Sequence, residues 1–220
     1  MNEMDAVYHN LISELNEKNV TLIAVSKTKS ISTIESLYAL GQRDFGENYV
    51  QEVVQKYEAM PHDIQWHFIG HLQSNKVKYI APFIHAIHGV DSIKLLAEIN
   101  KQASKLNRII DCLLQVHIAQ EETKFGFDAT ELAAAMQALS MYPNVRICGL
   151  MGMASFSDDA QLVRQEFQFL KKLFDQYAAI HPDFNTLSMG MSGDYIIAIE
   201  EGSTMVRIGS MLFGAREKKL

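Results

Sequence analysis

Thr21-Leu22-Ile23-Ala24-Val25-Ser26-Lys27-Thr28-Lys29 is an apolar run that gives way at once to a polar loop. Its β-branched and aliphatic residues suit a buried strand over 21–26, and the lysines then fall just past the strand end. The same unit recurs along the chain: a short apolar run, a turn, then a longer amphipathic stretch. Strands are expected at 21–26, 43–46, 64–68, 84–88, 109–117, 145–151, 186–189 and 205–208. Stretches 91–106, 129–139 and 159–178 read as helices, the last with Leu162, Phe167, Leu170 and Phe174 at helical spacing. Alternating strands and helices imply βαβ units and a parallel sheet, so the fold class is α/β. Eight units favour a closed (β/α)8 barrel of the TIM type over an open doubly wound sheet. A helix over 4–16, with Leu11, Ile12 and Leu15, precedes the first strand as an extra element able to cover one end of the barrel.

Nothing divides the 220 residues: the four prolines are scattered and no linker or charge block intervenes, so one domain over 1–220 is expected. Apolar residues make up 48% and charged residues 21%, as in ordinary globular chains. A net charge of −6 without clustered basic residues argues against a nucleic-acid surface. No apolar run is long enough to span a membrane, and the polar start lacks the pattern of a secretion signal, so a cytoplasmic location is expected. Cys112 and Cys148 sit in apolar runs and read as buried free thiols. No long apolar stripe is left over once the barrel faces are assigned, which favours a monomer.

In such barrels chemistry collects where strands end. If Thr21, Ile23 and Val25 point inward, strand alternation also turns Lys27 inward, where partial desolvation makes its neutral amine accessible for a Schiff base with a carbonyl compound. Taken alone, Lys27 and Lys29 read more readily as solvated loop lysines. Strand seven runs into Ser188-Met189-Gly190-Met191-Ser192-Gly193-Asp194, and strand eight into Arg207-Ile208-Gly209-Ser210 before a short helix-like Met211-Leu212-Phe213. Loops in these positions form the recurrent phosphate cradle of barrels, although glycine and serine are also ordinary turn residues. Arg207, inside an apolar strand, needs a partner: a ligand, or a carboxylate such as Asp44 or Glu47. Asn48 and His67 stand at the second and third strand ends, where each can hydrogen-bond a ring or its hydroxyl. His67 reads more readily as a satisfied core histidine, and Ser74 equally well as a helix N-cap. His62, His67, His71, His85 and His88 lack metal-ligand spacing. No nucleophile elbow, Walker loop or dinucleotide fingerprint is present.

Together these junctions resemble the family of pyridoxal-phosphate homeostasis proteins, also called YggS or PROSC proteins. The segments that carry the resemblance are Ala24-Val25-Ser26-Lys27-Thr28-Lys29, Phe45-Gly46-Glu47-Asn48, the run from Trp66 to Lys76, Gly149-Leu150-Met151, Leu187-Ser188-Met189-Gly190-Met191-Ser192 and Val206-Arg207-Ile208-Gly209. The resemblance implies a barrel like the N-terminal domain of alanine racemase, with pyridoxal 5′-phosphate on Lys27 and not on Lys29. It places Arg207 beside the pyridine nitrogen, where a permanent cation weakens the ring as an electron sink. It carries over Ser192, Gly209 and Ser210 as phosphate contacts and includes Met189 among the cofactor-binding residues. Ser210 stands where threonine is common, Ser30 where proline often follows, Gly89 and Ser92 where serine and arginine are usual, and His117 where asparagine is frequent.

The resemblance therefore implies a protein that carries or buffers pyridoxal 5′-phosphate as a reversible Schiff base, without turnover, and transiently meets pyridoxal-phosphate-dependent apoenzymes. The competing reading is an amino-acid racemase on the same barrel. In alanine racemase the resemblance implies a catalytic tyrosine from a second domain, for which this chain leaves only 215–220 after Gly214. Tyr49, Tyr195 or a histidine is the available substitute. A third reading is a phosphosugar barrel with Lys27 as general base and no cofactor.

Overall fold

The computed structural model describes residues 3–120 and 125–214. Eight parallel strands close into a barrel in sequence order, the last pairing with the first. They are β1 (Thr21–Val25), β2 (Asp44–Glu47), β3 (Gln65–Phe68), β4 (Ala86–Val90), β5 (Ile110–Gln115), β6 (Val145–Met151), β7 (Thr186–Met191) and β8 (Met205–Ile208). The helices are α1 (Glu3–Glu17), α2 (Ile31–Ala39), α3 (Val50–Ala59), α4 (Val77–Ile80), α5 (Ile93–Lys105), α6 (Ala129–Gln137), α7 (Ala160–Ala178), α8 (Tyr195–Glu200) and α9 (Ser210–Phe213). The eight strands, the parallel sheet and the extra first helix agree with the sequence expectation. α1 packs against β1 and α9 with Leu11 and Leu15 buried, so it flanks the seam between first and last strands.

Helix starts are set by side-chain caps. Ser30 accepts from the amide of Thr33 at 3.3 Å to open α2, and Ser92 does the same for Leu95 at 3.3 Å to open α5. Asp128 and Glu131 form a capping box on α6. Ser74 begins a single 3-10 turn, Ser74–Lys76, and the residue at its N-cap is Gln73, which makes no side-chain capping bond.

The main core lies between the outer face of the barrel and the helices. The stripe on α7 supplies Phe167, Leu170 and Phe174, all buried in that cluster, each contributing roughly 1.5–3 kcal/mol by leaving water. Leu162 is only half-buried; Val163 takes its place inward. Cys112 is buried and Cys148 half-buried, both as free thiols. Gly149 has φ +155°, and a Cβ there would lie 1.8 Å from the carbonyl oxygen of Thr186, so only glycine lets β6 and β7 approach.

The barrel interior differs from that outer core. Ile23, Leu113 and Met151 are buried but stand outside the contiguous outer cluster. Ile23 pairs with Arg207, and Gly46 with His67, so these four residues face the lumen together. Among the described residues no helix is long and apolar enough to cross a membrane.

Candidate functional site

A cavity of about 550 Å³ opens at the C-terminal ends of the strands. Lys27, Asn48, Ser192, Arg207, Gly209 and Ser210 all line it, although they are spread across the sequence. Lys27 arrives by the expected alternation: Ile23 is fully buried inside, and Val25 and then Lys27 reach the mouth. The other two expected residues lie elsewhere. His67 lines a separate cavity of about 280 Å³ that reaches the N-terminal strand ends, and Met189 is buried in the outer core. Met189 faces outward by ordinary alternation from the inward Ser188, and a register shift between Ser188 and Met191 brings Met191 to the mouth.

Lys29 also lines the mouth cavity, but its amine donates to the carbonyl oxygen of Phe213 at 2.8 Å at the end of α9. The loop around Lys27 is braced from behind. Ser26 donates its hydroxyl to Glu47 at 2.6 Å, and the amide of Thr28 donates to Glu52 at 2.6 Å. Thr28 sits at φ +65°, a conformation costly for a β-branched residue. Lys56 ties these supports together, donating to Glu47 at 2.7 Å, Glu52 at 2.6 Å and the carbonyl oxygen of Ser26 at 2.9 Å. Glu47 is fully buried, and burial, opposed by Lys56 and Ser26, holds its pKa above the ordinary carboxylate value.

Across the mouth, Ser192 Oγ accepts from the amides of Gly209 at 3.3 Å and Met211 at 3.4 Å, joining the loop after β7 to the start of α9. A Cβ on Gly209 would lie 3.2 Å from that of Val25, so glycine keeps this edge of the cradle open. Arg207 is buried and donates to the carbonyl oxygen and hydroxyl of Ser188 at 2.8 and 2.7 Å and to the carbonyl oxygen of Gly152 at 2.9 Å. It makes these bonds in place of a direct ion pair with Asp44 or Glu47. Burial lowers its pKa to about 10, with Asp194 opposing, so it remains a cation at neutral pH. The side-chain oxygen of Asn48 is buried without a hydrogen-bond partner, an acceptor left for a ligand.

The brace of Glu47, Glu52 and Lys56 escapes a sequence reading, because an Asx-free helix turn with Glu and Lys four apart looks like a solvated surface pair. Ser188 and His88 escape it too. Their signal was strand alternation in step with Arg207, blurred at β4, where the strand is displaced from 84–88 to Ala86–Val90. Among the described residues no group of three or more His, Cys, Asp and Glu is arranged to hold a metal.

Fold and mouth together define a barrel of the kind that presents a lysine and an anion cradle to a small ligand. The family model described as alanine racemase, N-terminal domain, matches residues 3–217. The pyridoxal phosphate homeostasis protein of Aquifex aeolicus (strain VF5) is 41% identical over 206 residues, covering 91% of this chain and 89% of that protein. That of Synechocystis sp. is 39% identical over 216 residues, covering 96% and 98%. The structure of PipY from Synechococcus elongatus PCC7942 with PLP bound superposes with a TM-score of 0.87 at 35% identity, covering 96% of this chain and 100% of that one. The chain belongs to the pyridoxal phosphate homeostasis proteins, within the alanine racemase N-terminal domain family.

Proposed function

We infer that this protein binds pyridoxal 5′-phosphate at the barrel mouth and carries or buffers it without turnover. The observation that carries the reading is the convergence of Lys27, Asn48, Ser192, Arg207, Gly209 and Ser210 on one cavity. When bound, the cofactor supplies an aldehyde, a pyridine ring and a phosphate. Lys27 provides the amine that holds the aldehyde carbon, in a bond that an incoming amine can exchange. The hydroxyls of Ser192 and Ser210 would hold the phosphate at an edge kept open by Gly209, whose amide already donates to Ser192 Oγ, and the unpartnered oxygen of Asn48 would accept from the ring side. Arg207, a cation with no site to accept a proton, would disfavour protonation of the ring nitrogen if that nitrogen lies beside it, which would suit storage rather than chemistry at an amino-acid α-carbon. Met189 would contribute through β7, the strand that carries Ser188 and leads into Ser192, and His67 would act from inside the barrel. We place this work in the cytoplasm, in a monomer that meets apoenzymes transiently.

The test is an absorbance spectrum of the purified protein with added pyridoxal 5′-phosphate. A visible band absent in Lys27→Ala and retained in Lys29→Ala is expected, with no interconversion of amino-acid enantiomers by the loaded protein. A protein that stays colourless and takes up no cofactor sinks the reading.

A further inference from the structure

Below Arg207, inside the barrel, five polar side chains from five strands touch end to end. Arg207 on β8 donates to Ser188 Oγ on β7 at 2.7 Å. Ser188 Oγ lies 3.4 Å from His88 Nδ1 on β4, across the lumen. His88 Nε2 lies 2.9 Å from His67 Nδ1 on β3, and His67 Nε2 lies 2.9 Å from Asp44 Oδ1 on β2. The rings of His67 and His88 meet edge to face. Ser188, His88 and His67 are buried, while the Asp44 side chain is 27% exposed at the start of β2.

Donor chemistry fixes the direction of the whole series. A guanidinium can only donate, so Ser188 Oγ accepts from Arg207 and has its own proton to give to His88 Nδ1. His88 then carries its proton on Nε2 and gives it to His67 Nδ1. His67 in turn carries its proton on Nε2, facing the carboxylate. Every donor meets an acceptor and both imidazoles are neutral. Burial above all, with the Arg207 guanidinium adding to it, holds His88 well below the ordinary imidazole value, in keeping with a neutral ring there. The opposite polarity would turn a lone pair of His67 onto the Asp44 carboxylate unless a proton were added there.

We propose that Asp44, His67, His88 and Ser188 are positioning residues for the mouth site, forming one directed hydrogen-bond chain that fixes the Arg207 guanidinium and ties it to a carboxylate at the opposite end of the barrel. The ligand side of this proposal rests on the pyridoxal-phosphate reading; the chain itself does not. Arg207 is thereby oriented from inside the barrel by a chain of three neutral side chains ending on Asp44, while Asp194 at the mouth is its nearer charge.

The direct test is imidazole ¹⁵N NMR of the ligand-free protein at neutral pH. Both His67 and His88 are expected as Nε2–H tautomers, and in Asp44→Asn, whose amide can donate as well as accept, the tautomer of His88, two links away, is expected to become mixed. A wild-type Nδ1–H tautomer at either residue overturns the chain. On the ligand side, His88→Gln and Ser188→Ala are expected to raise the dissociation constant for pyridoxal 5′-phosphate about fivefold, the size of one net hydrogen bond. Asp44→Asn, which keeps an acceptor but not the charge, is expected to fall between them and wild type. Unchanged affinity in all three folded variants overturns the positioning role, and any variant that fails to fold leaves the others and the wild-type tautomers to decide. A wild type that takes up no pyridoxal phosphate overturns the ligand reading, whereas a wrong tautomer overturns the chain whatever the ligand does.

Discussion

The ammonium of Lys56 lies 2.9 Å from the carbonyl oxygen of Ser26, the residue immediately before Lys27. Lys56 is 5% exposed at its side chain and Glu47 not at all, so the pair they form is a buried one. Lys56→Met leaves Glu47 buried without its cation and releases the backbone on the N-terminal side of Lys27. The expected cost is about 3–5 kcal/mol in urea unfolding, with the Glu47→Gln/Lys56→Met double variant recovering part of it. A loss no larger than that of an exposed pair would mean the brace does not stabilise the loop.

The same carboxyl gives the fold a pH signature. Its folded pKa is raised above 4.5 by burial, so the folded chain holds this proton more tightly than the unfolded one. The stability it contributes is full below the ordinary carboxylate value and is lost as pH rises through the raised one. Glu47→Gln cannot titrate. The stability of wild type minus that of the variant, from urea midpoints at a series of pH values, is therefore expected to fall across that window and level off above it. A difference that rises with pH would contradict the assigned cause.

Gly70 protects the ligand-facing end of β2. A Cβ there would lie 2.8 Å from the backbone oxygen of Asn48 and 2.9 Å from its Cα. Gly70→Ala is expected to displace Asn48, destabilise the chain by about 1–3 kcal/mol and weaken cofactor uptake in a titration followed by absorbance. Gly193→Ala is the control: it also lies at the mouth, but nothing stands within 4 Å of the added carbon. Equal effects from the two substitutions would remove the steric argument.

Much of this architecture is legible in the sequence because it is periodic. Phe167, Leu170 and Phe174 announce a helix, and apolar runs such as Thr21–Val25 announce strands, through local spacing that needs no knowledge of neighbours. Lys27 and Arg207 were readable for a related reason: each stands where alternation or an apolar context makes its charge conspicuous. The residues that support them were not. Lys56 is buried because α3 packs against β2, a tertiary fact that leaves no mark on the helix pattern. His88 meets Ser188 across the lumen of a barrel, at a sequence distance of 100 residues. The irregularity in β7 shifts the inward position after Ser188 by one residue, which is why Met191 points towards the mouth, while Met189 points away by simple alternation.

Strands β1 and β8 are paired neighbours, with Ile23 opposite Arg207. Lys27 and Arg207 thus belong to the two edges of one seam, contributed by opposite ends of the chain. A polypeptide leaving the ribosome has finished β1 long before β8 is translated, and no nascent fragment owns both halves of the mouth. On the proposed reading, capture of the aldehyde with phosphate and ring in place requires β1 and β8 together, so it would report a chain whose synthesis has reached β8 and whose barrel has closed.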